Sequence, residues 1–96
     1  MSYVRVSIMQ PHQHERAQIE KIIDDLLRIS ATLPGFLSGN RLIPHDESQE
    51  IWRIAHWESE HAADLAAQDQ RILALRSDLI RVLGEDRHEE RGFQTA

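Results

Sequence analysis

The stretch Ile51–Trp57, with the sequence IWRIAHW, has the composition and alternation of a β-strand and runs directly into Glu58 and Ser59. A period of two places Arg53 and Trp57 on the same face of that strand, unless a bulge intervenes. Ser59 suits a helix N-cap, because its hydroxyl can accept a hydrogen bond from a free amide of the first turn. The stretch therefore predicts a strand that leads straight into a helix.

Three elements are predicted upstream of this strand. Tyr3–Met9 alternates apolar and polar residues, which indicates a first strand, and residues 14–33 carry apolar side chains at helical spacing. Residues 36–43 are predicted as a second strand, in which Gly39 marks a bulge or a close approach by another backbone or a ligand. The polar turn at residues 44–48 joins two strands that we expect to be antiparallel neighbours.

The chain downstream of Ser59 predicts a long helix and one more strand. Apolar residues repeat on one helical face as far as Gly84, and Asp69 is a candidate kink between an alanine-rich half and a leucine-rich half. Residues 87–95 are expected to form a short, polar last strand. The acidic residues in this region are interpreted as the solvated edge of that strand: Glu85, Asp86, Glu89 and Glu90.

The predicted order is strand, helix, strand, strand, helix, strand, within one domain over residues 1–96. This order is typical of the α+β class and of the ferredoxin-like βαββαβ arrangement, in which an antiparallel sheet carries both helices on one face. The opposite face would present Trp52, Ile54 and their neighbours to water, and large apolar patches usually mark an interface. We therefore expect a face-to-face homodimer, which would form a dimeric α/β barrel.

The composition is that of an ordinary globular domain, with 41% hydrophobic and 28% charged residues, which excludes a disordered or fibrous chain. A formal net charge of -5 without any basic patch argues against nucleic acid as a partner. There is no cysteine, so disulfides and thiolate chemistry are excluded. No segment has the pattern of a signal peptide or a membrane span, and we expect a cytoplasmic protein without membrane contact.

Two motifs give the chain a resemblance to a known family. LPGFLSGNRLI follows the first helix, and IAHWESEHAADLA joins the third strand to the second helix. The most specific piece is Trp57-Glu58-Ser59 before a helix of alanines, and Pro34-Gly35-Phe36 is a second anchor. In these motifs and in the order of its elements, nearly the whole chain resembles the antibiotic biosynthesis monooxygenase family of dimeric α/β barrels.

The resemblance implies a two-subunit barrel with a ligand cavity in each subunit, between the sheet and the helices. Members of one branch oxygenate polycyclic aromatic intermediates without flavin, haem or metal, because the ionised substrate itself reduces dioxygen. A tryptophan at the position of Trp57 belongs to that cavity. The chain departs from this branch at Arg53, where the branch has an amide, and at Ala63, where it has a tyrosine. The resemblance to the active site of this branch therefore rests mainly on Trp57.

A second branch of the family degrades haem, using an asparagine on strand one together with a tryptophan and a histidine on helix two. In this chain strand one has no asparagine, helix two has no tryptophan, and the one histidine of helix two, His61, lies in the first turn. Haem degradation is therefore disfavoured, and we expect no cofactor.

Each candidate residue also has a structural interpretation. Trp57 either stacks on a flat substrate or is the apolar plug that seats the second helix on the sheet. Arg53 either stabilises an enolate or carboxylate in the cavity or pairs with an acidic side chain of the helices. His56 and His61 flank the motif and are either proton-transfer groups or solvated surface histidines. The other four histidines are scattered along the chain, which disfavours a metal site.

The leading hypothesis is a homodimeric, cofactor-independent monooxygenase that oxidises a small aromatic or quinol-type substrate with dioxygen. Trp57 and Arg53 are the candidate catalytic residues, and the candidate substrate-binding residues are His56, His61, Phe36 and Leu65. The alternative is a non-catalytic protein of the same fold that binds a small ligand. An open cavity bordered by Arg53 and Trp57 would favour the oxygenase, whereas a cavity filled by their side chains would favour the binding protein or a structural role.

Overall fold

The computed structural model describes residues 1–96 and contains a four-stranded antiparallel sheet and three α-helices. The strands are β1 (Tyr3–Met9), β2 (Phe36–Leu42), β3 (Ile51–Trp57) and β4 (His88–Gln94). The helices are α1 (Arg16–Ser30), α2 (Glu60–Ala66) and α3 (Gln70–Leu83), and a 3-10 turn at Gln13–Glu15 precedes α1. The strand order β2-β3-β1-β4, with every neighbouring pair antiparallel, confirms the α+β class and the ferredoxin-like arrangement.

Strand β3 has one face under the helices and one face away from them, as its sequence alternation predicts. The residues under the helices are buried, and they are Ile51, Arg53, Ala55 and Trp57. The intervening residues are half-buried, and they are Trp52, Ile54 and His56. Arg53 and Trp57 therefore share the helix-covered face, and no bulge in β3 disturbs the alternation between them.

The hydrophobic core lies between the sheet and the helices α1 and α3. Its fully buried members include Met9 and Ile51 from the sheet, Ile19, Ile23 and Leu26 from α1, and Leu79 from α3. Because the apolar stripe of α1 follows the helical period, one whole side of that helix faces the core. Each such side chain contributes about 1.5–3 kcal/mol of stabilisation relative to an exposed position.

The helical segment after Ser59 consists of two helices rather than one kinked helix. Asp69 is the N-cap of α3, since its carboxylate accepts hydrogen bonds from the backbone amides of Arg71 at 2.8 Å and Ile72 at 3.4 Å. Ser59 caps α2 in the same way, accepting from the amide of Ala62 at 3.1 Å. The predicted N-cap at Ser59 and the helix end at Gly84 are confirmed, whereas the predicted kink at Asp69 is wrong, because this aspartate caps a new helix.

Gly39 does not lie at a bulge. The register of β2 shifts between Phe36 and Ser38, so the irregularity is at Leu37. A Cβ atom on Gly39 would lie 2.6 Å from Leu27 Cδ2 and 2.9 Å from Phe36 Cζ. The close approach at Gly39 is therefore made by two side chains on the helix-covered face, one from α1 and one from β2.

The two sequence motifs meet in the fold at the junction of α1, β2 and α2. The amide of Glu58 donates a hydrogen bond to the carbonyl of Gly35 at 2.8 Å. Gly35 has a φ of +86°, and a Cβ atom there would lie 2.6 Å from the Cβ of Ala62. The ring of Phe36 meets the ring of Trp57 edge to face, with 5.2 Å between centroids. The first turn of α2 is thus fixed against the loop that follows α1.

The sheet surface away from the helices, here called the open face, is covered by no element of the chain. Its apolar side chains come from all four strands, and they include Val4, Ile8, Leu42, Trp52, Ile54 and Phe93. Leu42 and Phe93 are 44% and 45% exposed. The predicted apolar sheet surface is therefore present. No helix of the protein has the length and apolarity needed to cross a membrane.

We expect Gly35→Ala to lower the free energy of unfolding by about 2 kcal/mol or more, because an alanine is strained at positive φ and its Cβ would overlap Ala62. Ala62→Gly should recover part of that loss by removing the other partner of the overlap, although glycine inside a helix costs about 1 kcal/mol by itself. A double-mutant cycle with urea unfolding measures the coupling. If the two substitutions change the free energy of unfolding additively, the contact between positions 35 and 62 is not the cause of the loss.

Candidate functional site

Trp57 lies in a small apolar cluster between the sheet and α2. It is 4% exposed and packs with Tyr3, Ala55, Ala63 and Ala66. The alanines of α2 have little side-chain volume, so the helix backbone comes close to the indole ring. Trp57 is consequently a packing residue in this structure, and its ring borders only a small space.

Three arginines surround Glu90 on the helix-covered face, and we call Arg5, Arg53, Arg76 and Glu90 the arginine cluster. The Glu90 carboxylate lies 3.3 Å from Arg76 Nη1, 3.7 Å from Arg53 Nη2 and 3.8 Å from Arg5 Nε. Ser7 connects two members, since its hydroxyl donates to Glu90 Oε2 at 3.2 Å and accepts from Arg53 Nη2 at 3.0 Å. Strands β1, β3 and β4 and helix α3 each supply a charge to this cluster.

Glu90 corrects the interpretation of the acidic run as a solvated edge. Glu85, Asp86 and Glu89 are exposed, but Glu90 pairs with Ser7 in the β1–β4 register and lies on the same face as Arg53. Period-two alternation puts neighbouring strand residues on opposite faces, so Glu89 and Glu90 have different surroundings. Arg53 pairs with an acidic side chain, as one of its interpretations predicts, but the partner comes from β4 and not from a helix.

The charges of the cluster shift one another's pKa. Burial, helped by the charges of Arg76 and Arg5 and opposed by Glu90, lowers the pKa of Arg53 to about 10. Burial alone would raise the pKa of Glu90, but Arg76, Arg53 and Arg5 outweigh it and hold that pKa below 4.5. Glu90 is therefore ionised at neutral pH, and the cluster keeps an excess of positive charge.

Two spaces meet at Ala66 of α2. The inner void lies behind the helix, has a volume of about 20 Å³, and is lined by residues that include Arg5, Arg53, Arg76, Ser30, Trp57 and Ala66. A space of this size holds about one water molecule. The side chains of Arg53 and Trp57 thus nearly fill the cavity that the family resemblance implies.

The outer cleft lies between α2 and the loop after α1 and has a volume of about 400 Å³. Its lining includes Leu33, Pro34, Glu58, His61, Leu65 and Ala66. This volume is in the range of small-molecule sites. Ala66 borders both spaces, so α2 is the wall between the outer cleft and the arginine cluster.

The structure brings most of the candidate residues to one end of the sheet, around α2. His61 and Leu65 line the outer cleft, and Phe36 packs on Trp57. His56 lies apart from them, on the open face, where its Nε2 is 2.6 Å from Ser2 Oγ. The separation follows from strand alternation, because His56 precedes Trp57 by one residue.

Arg5, Arg76 and Glu90 are site residues that the sequence reasoning missed. Arg5 has the same strand parity as Ser7, and Arg76 lies four residues after the buried Ile72 on α3. For Arg76 the available signal was an arginine on an otherwise buried helical stripe, since such a charge needs a partner. Arg5 gave no such signal, because it alternates with the apolar Val4 and Val6 in the sequence. The histidines do not combine with acidic residues into any group of three or more that could hold a metal ion.

No protein-family model matches the sequence, and no curated protein matches it significantly. Solved structures do match. SnoaB, a cofactor-independent oxygenase from Streptomyces nogalater, is 20% identical with a TM-score of 0.85, over 99% of this chain and 93% of that one. An antibiotic biosynthesis monooxygenase is 11% identical with a TM-score of 0.83, over 100% and 99%.

A conserved protein from Methanosarcina mazei Go1 is 10% identical to the chain with a TM-score of 0.90, over 100% of this chain and 94% of that one. At identities this low the matches establish the fold alone. The chain therefore has the fold of antibiotic biosynthesis monooxygenases, as the resemblance of its motifs predicts.

Glu90→Gln should destabilise the protein by about 1–3 kcal/mol at neutral pH, because it leaves the buried Arg53 and the partly buried Arg5 and Arg76 without their shared anion. In the wild type, the depressed pKa of Glu90 gives stabilisation that is fully present above 4.5, the ordinary value, and is lost as pH falls through the folded-state pKa. The stability difference between wild type and variant should therefore shrink as the solution is acidified below pH 4.5. Urea unfolding over a pH series measures it.

Glu89→Gln is the matched control, since Glu89 is the adjacent carboxylate and is 63% exposed. Its effect should be small at every pH. If both variants show the same pH dependence, the inward placement of Glu90 is wrong.

Proposed function

We propose that the protein is a cofactor-independent monooxygenase that oxidises a small aromatic or quinol-type substrate with dioxygen. A methylene between two aromatic rings would become a carbonyl: one oxygen atom of dioxygen enters the product, the other leaves as water with the two methylene hydrogens, and the substrate supplies all four electrons. The oxidation of a dihydroxyarene balances in the same way: the ring gains one hydroxyl and becomes a quinone, and the other oxygen atom leaves as water. Neither reaction needs an external reductant.

The observation that carries the proposal is the positive charge of the arginine cluster directly behind α2. A substrate of this kind reacts with dioxygen through its anion, and guanidiniums in a water-poor interior stabilise a developing oxyanion without having to reorganise. Arg53 is the most buried of the three, and the others keep the local charge positive although Glu90 is ionised. The likeness to SnoaB, a cofactor-independent oxygenase, supports the same chemistry.

The position of α2 supports a proposed route for the substrate from the outer cleft to the arginine cluster. The outer cleft can receive an aromatic molecule beside Leu33, Leu65 and His61, and Ala66 is the residue between that molecule and the arginine cluster. Helix α2 has seven residues and its own N-cap at Ser59, and α3 begins anew at Asp69. An outward shift of α2 would therefore join the two spaces without unwinding α3.

The alternative is a protein that binds a small ligand in the outer cleft without turnover. The observation that favours it is the size of the inner void, because about 20 Å³ beside Arg53 and Trp57 admits no aromatic ring. Under this alternative the ligand stays in the outer cleft and the arginine cluster is structural.

We also propose that two chains pair through their open faces. The apolar side chains of Trp52, Ile54 and Phe93 have no cover within the chain, and burying apolar area is the main driving force of association. The arginine cluster lies on the other side of the sheet, so the dimer would support the site without contributing to it.

Oxygen uptake with a panel of anthrones and dihydroxyarenes tests the oxygenase. Arg53→Gln should lower the rate by about 100-fold or more, the usual cost of removing one oxyanion-stabilising donor. Trp57→Phe, which keeps an aromatic ring in the core, should also slow the reaction. The controls Arg41→Gln and Trp52→Phe remove the same residue types outside the site and should leave the rate unchanged. Absence of uptake with every compound, or equal losses in the controls, would count against the oxygenase.

Tryptophan fluorescence separates the two functions. The chain has two tryptophans, so Trp52→Phe leaves Trp57 as the only emitter. Quenching of that emission by an aromatic compound, without oxygen uptake, would support the binding protein. Quenching together with uptake is the result that we expect.

Light scattering at micromolar concentration should give the mass of a dimer. Ile54→Lys places a charge in the middle of the open face and should produce a folded monomer, because a buried unpaired charge opposes association. Leu73→Lys is the control, since Leu73 is 51% exposed on α3 and lies outside the proposed interface. A monomeric wild type would refute the dimer.

A further inference from the structure

The arginine cluster carries more positive charge than the carboxylates around it neutralise. Arg5, Arg53 and Arg76 all lie within 3.8 Å of the single Glu90 carboxylate. The other acidic partner, Asp64, has a side chain that is 57% exposed, and it pairs with Arg5 alone. Solvent screens such an exposed pair. The enclosed part of the cluster is therefore short of negative charge.

Arg53 also has a hydrogen-bond donor without a partner. Its Nη2 donates to Ser7 Oγ at 3.0 Å, but its Nε is buried and makes no hydrogen bond. The residue is 6% exposed, so bulk water does not solvate the free donor. Buried donors of a native protein are nearly always satisfied, by protein atoms or by a bound molecule. The free donor indicates an occupant beside Arg53.

The inner void supplies the space for that occupant. It is lined by all three arginines of the cluster, and the buried Ser30 also borders it. Its volume of about 20 Å³ holds one water-sized sphere, which a halide ion approximates and a tetrahedral oxyanion such as sulfate or phosphate exceeds. Size and charge together restrict the occupant to a small monovalent anion.

We propose that the inner void is a binding site for one small monovalent anion of the halide class, held by Arg5, Arg53 and Arg76. A water molecule would satisfy the free donor of Arg53, but it would leave the excess charge uncompensated in the interior, where Coulomb energies are large. The anion supplies both the acceptor and the missing charge. This site does not depend on the oxygenase, because it is occupied in the resting protein and requires no substrate.

Two measurements on the unmodified protein test the site. Melting temperature is followed while chloride replaces gluconate at constant ionic strength, and we expect a saturable rise at millimolar chloride, since a ligand that binds only the folded state stabilises it. Crystals grown in millimolar bromide should show an anomalous peak in the inner void. Oxygen uptake is not a readout, so the outcome is separate from that of the oxygenase test.

Three variants should change the apparent chloride affinity, two of them lowering it and one raising it. Arg53→Gln and Arg76→Gln should weaken the apparent chloride affinity about tenfold or more, because each removes a charged donor. Glu90→Gln should strengthen it by a similar factor, because it removes the anion that competes for the arginines. Arg41→Gln is the matched control: Arg41 is paired with Glu20 and Asp24 away from the void, and its loss should leave the affinity unchanged.

The test stays decisive if Arg53→Gln fails to fold, because Arg76→Gln and Glu90→Gln still predict opposite changes in chloride affinity. Arg76 is 29% exposed, so we expect its replacement to be tolerated better than that of Arg53. Equal melting temperatures in chloride and gluconate would overturn the proposal. A water molecule in the void at millimolar bromide, or a weaker chloride affinity in Glu90→Gln, would also overturn it.

Discussion

The buried guanidinium of Arg53 constrains the rest of the fold, because a charge in the interior must be matched by opposite charge or polar partners. The nearest carboxylate is Glu90, which reaches Arg53 from β4 and is steadied by the hydroxyl of Ser7 on the strand between them. Strand β4 has one large apolar residue, Phe93, so hydrophobic burial gives it little preference for either face. The charge of Glu90 instead selects the face of β4 that turns inward, and it completes the sheet at that edge.

Much of the fold could be predicted because β3 and α1 each have a clear periodicity with one buried side. The alternation of β1 marks it as a strand but not its facing, since the apolar Val4 and Ile8 lie on the open face and Arg5 lies under the helices. Strand alternation alone predicts that Arg53 and Trp57 lie on the same face of β3, and the structure confirms it. The inward position of Glu90 did not follow, because a run of acidic residues looks uniformly solvated until the register with Ser7 assigns each one to a face. The N-cap at Asp69 could not be predicted for a related reason: an aspartate can either interrupt a helix or begin one, and only the amides that it caps distinguish the two cases.

The candidate site was less predictable than the fold, because its shape depends on side-chain volume in three dimensions. The sequence identifies Trp57 and the alanines of α2 but does not show how far the helix approaches the ring. In the structure the small side chains of Ala63 and Ala66 let α2 close over Trp57, and this closure divides the space under the helices into an inner void and an outer cleft. The side chains of Arg53 and Trp57 thus nearly fill the expected cavity, and the larger space lies outside α2.

The position of α2 and the excess positive charge of the arginine cluster together bear on the proposed function. With α2 in place, the space beside Arg53 is small, and the proposed anion in the inner void would balance the excess charge of the cluster. With α2 displaced outward, an ionised aromatic substrate in the outer cleft could present its own oxyanion to the same guanidiniums. Because both anions would satisfy the same excess charge, binding of one would release the other, and the energetic cost of exposing Arg53 without a counter-ion would be avoided at each step. The shared carboxylate among three arginines would thus serve both the proposed resting anion and the proposed catalysis on an anionic substrate.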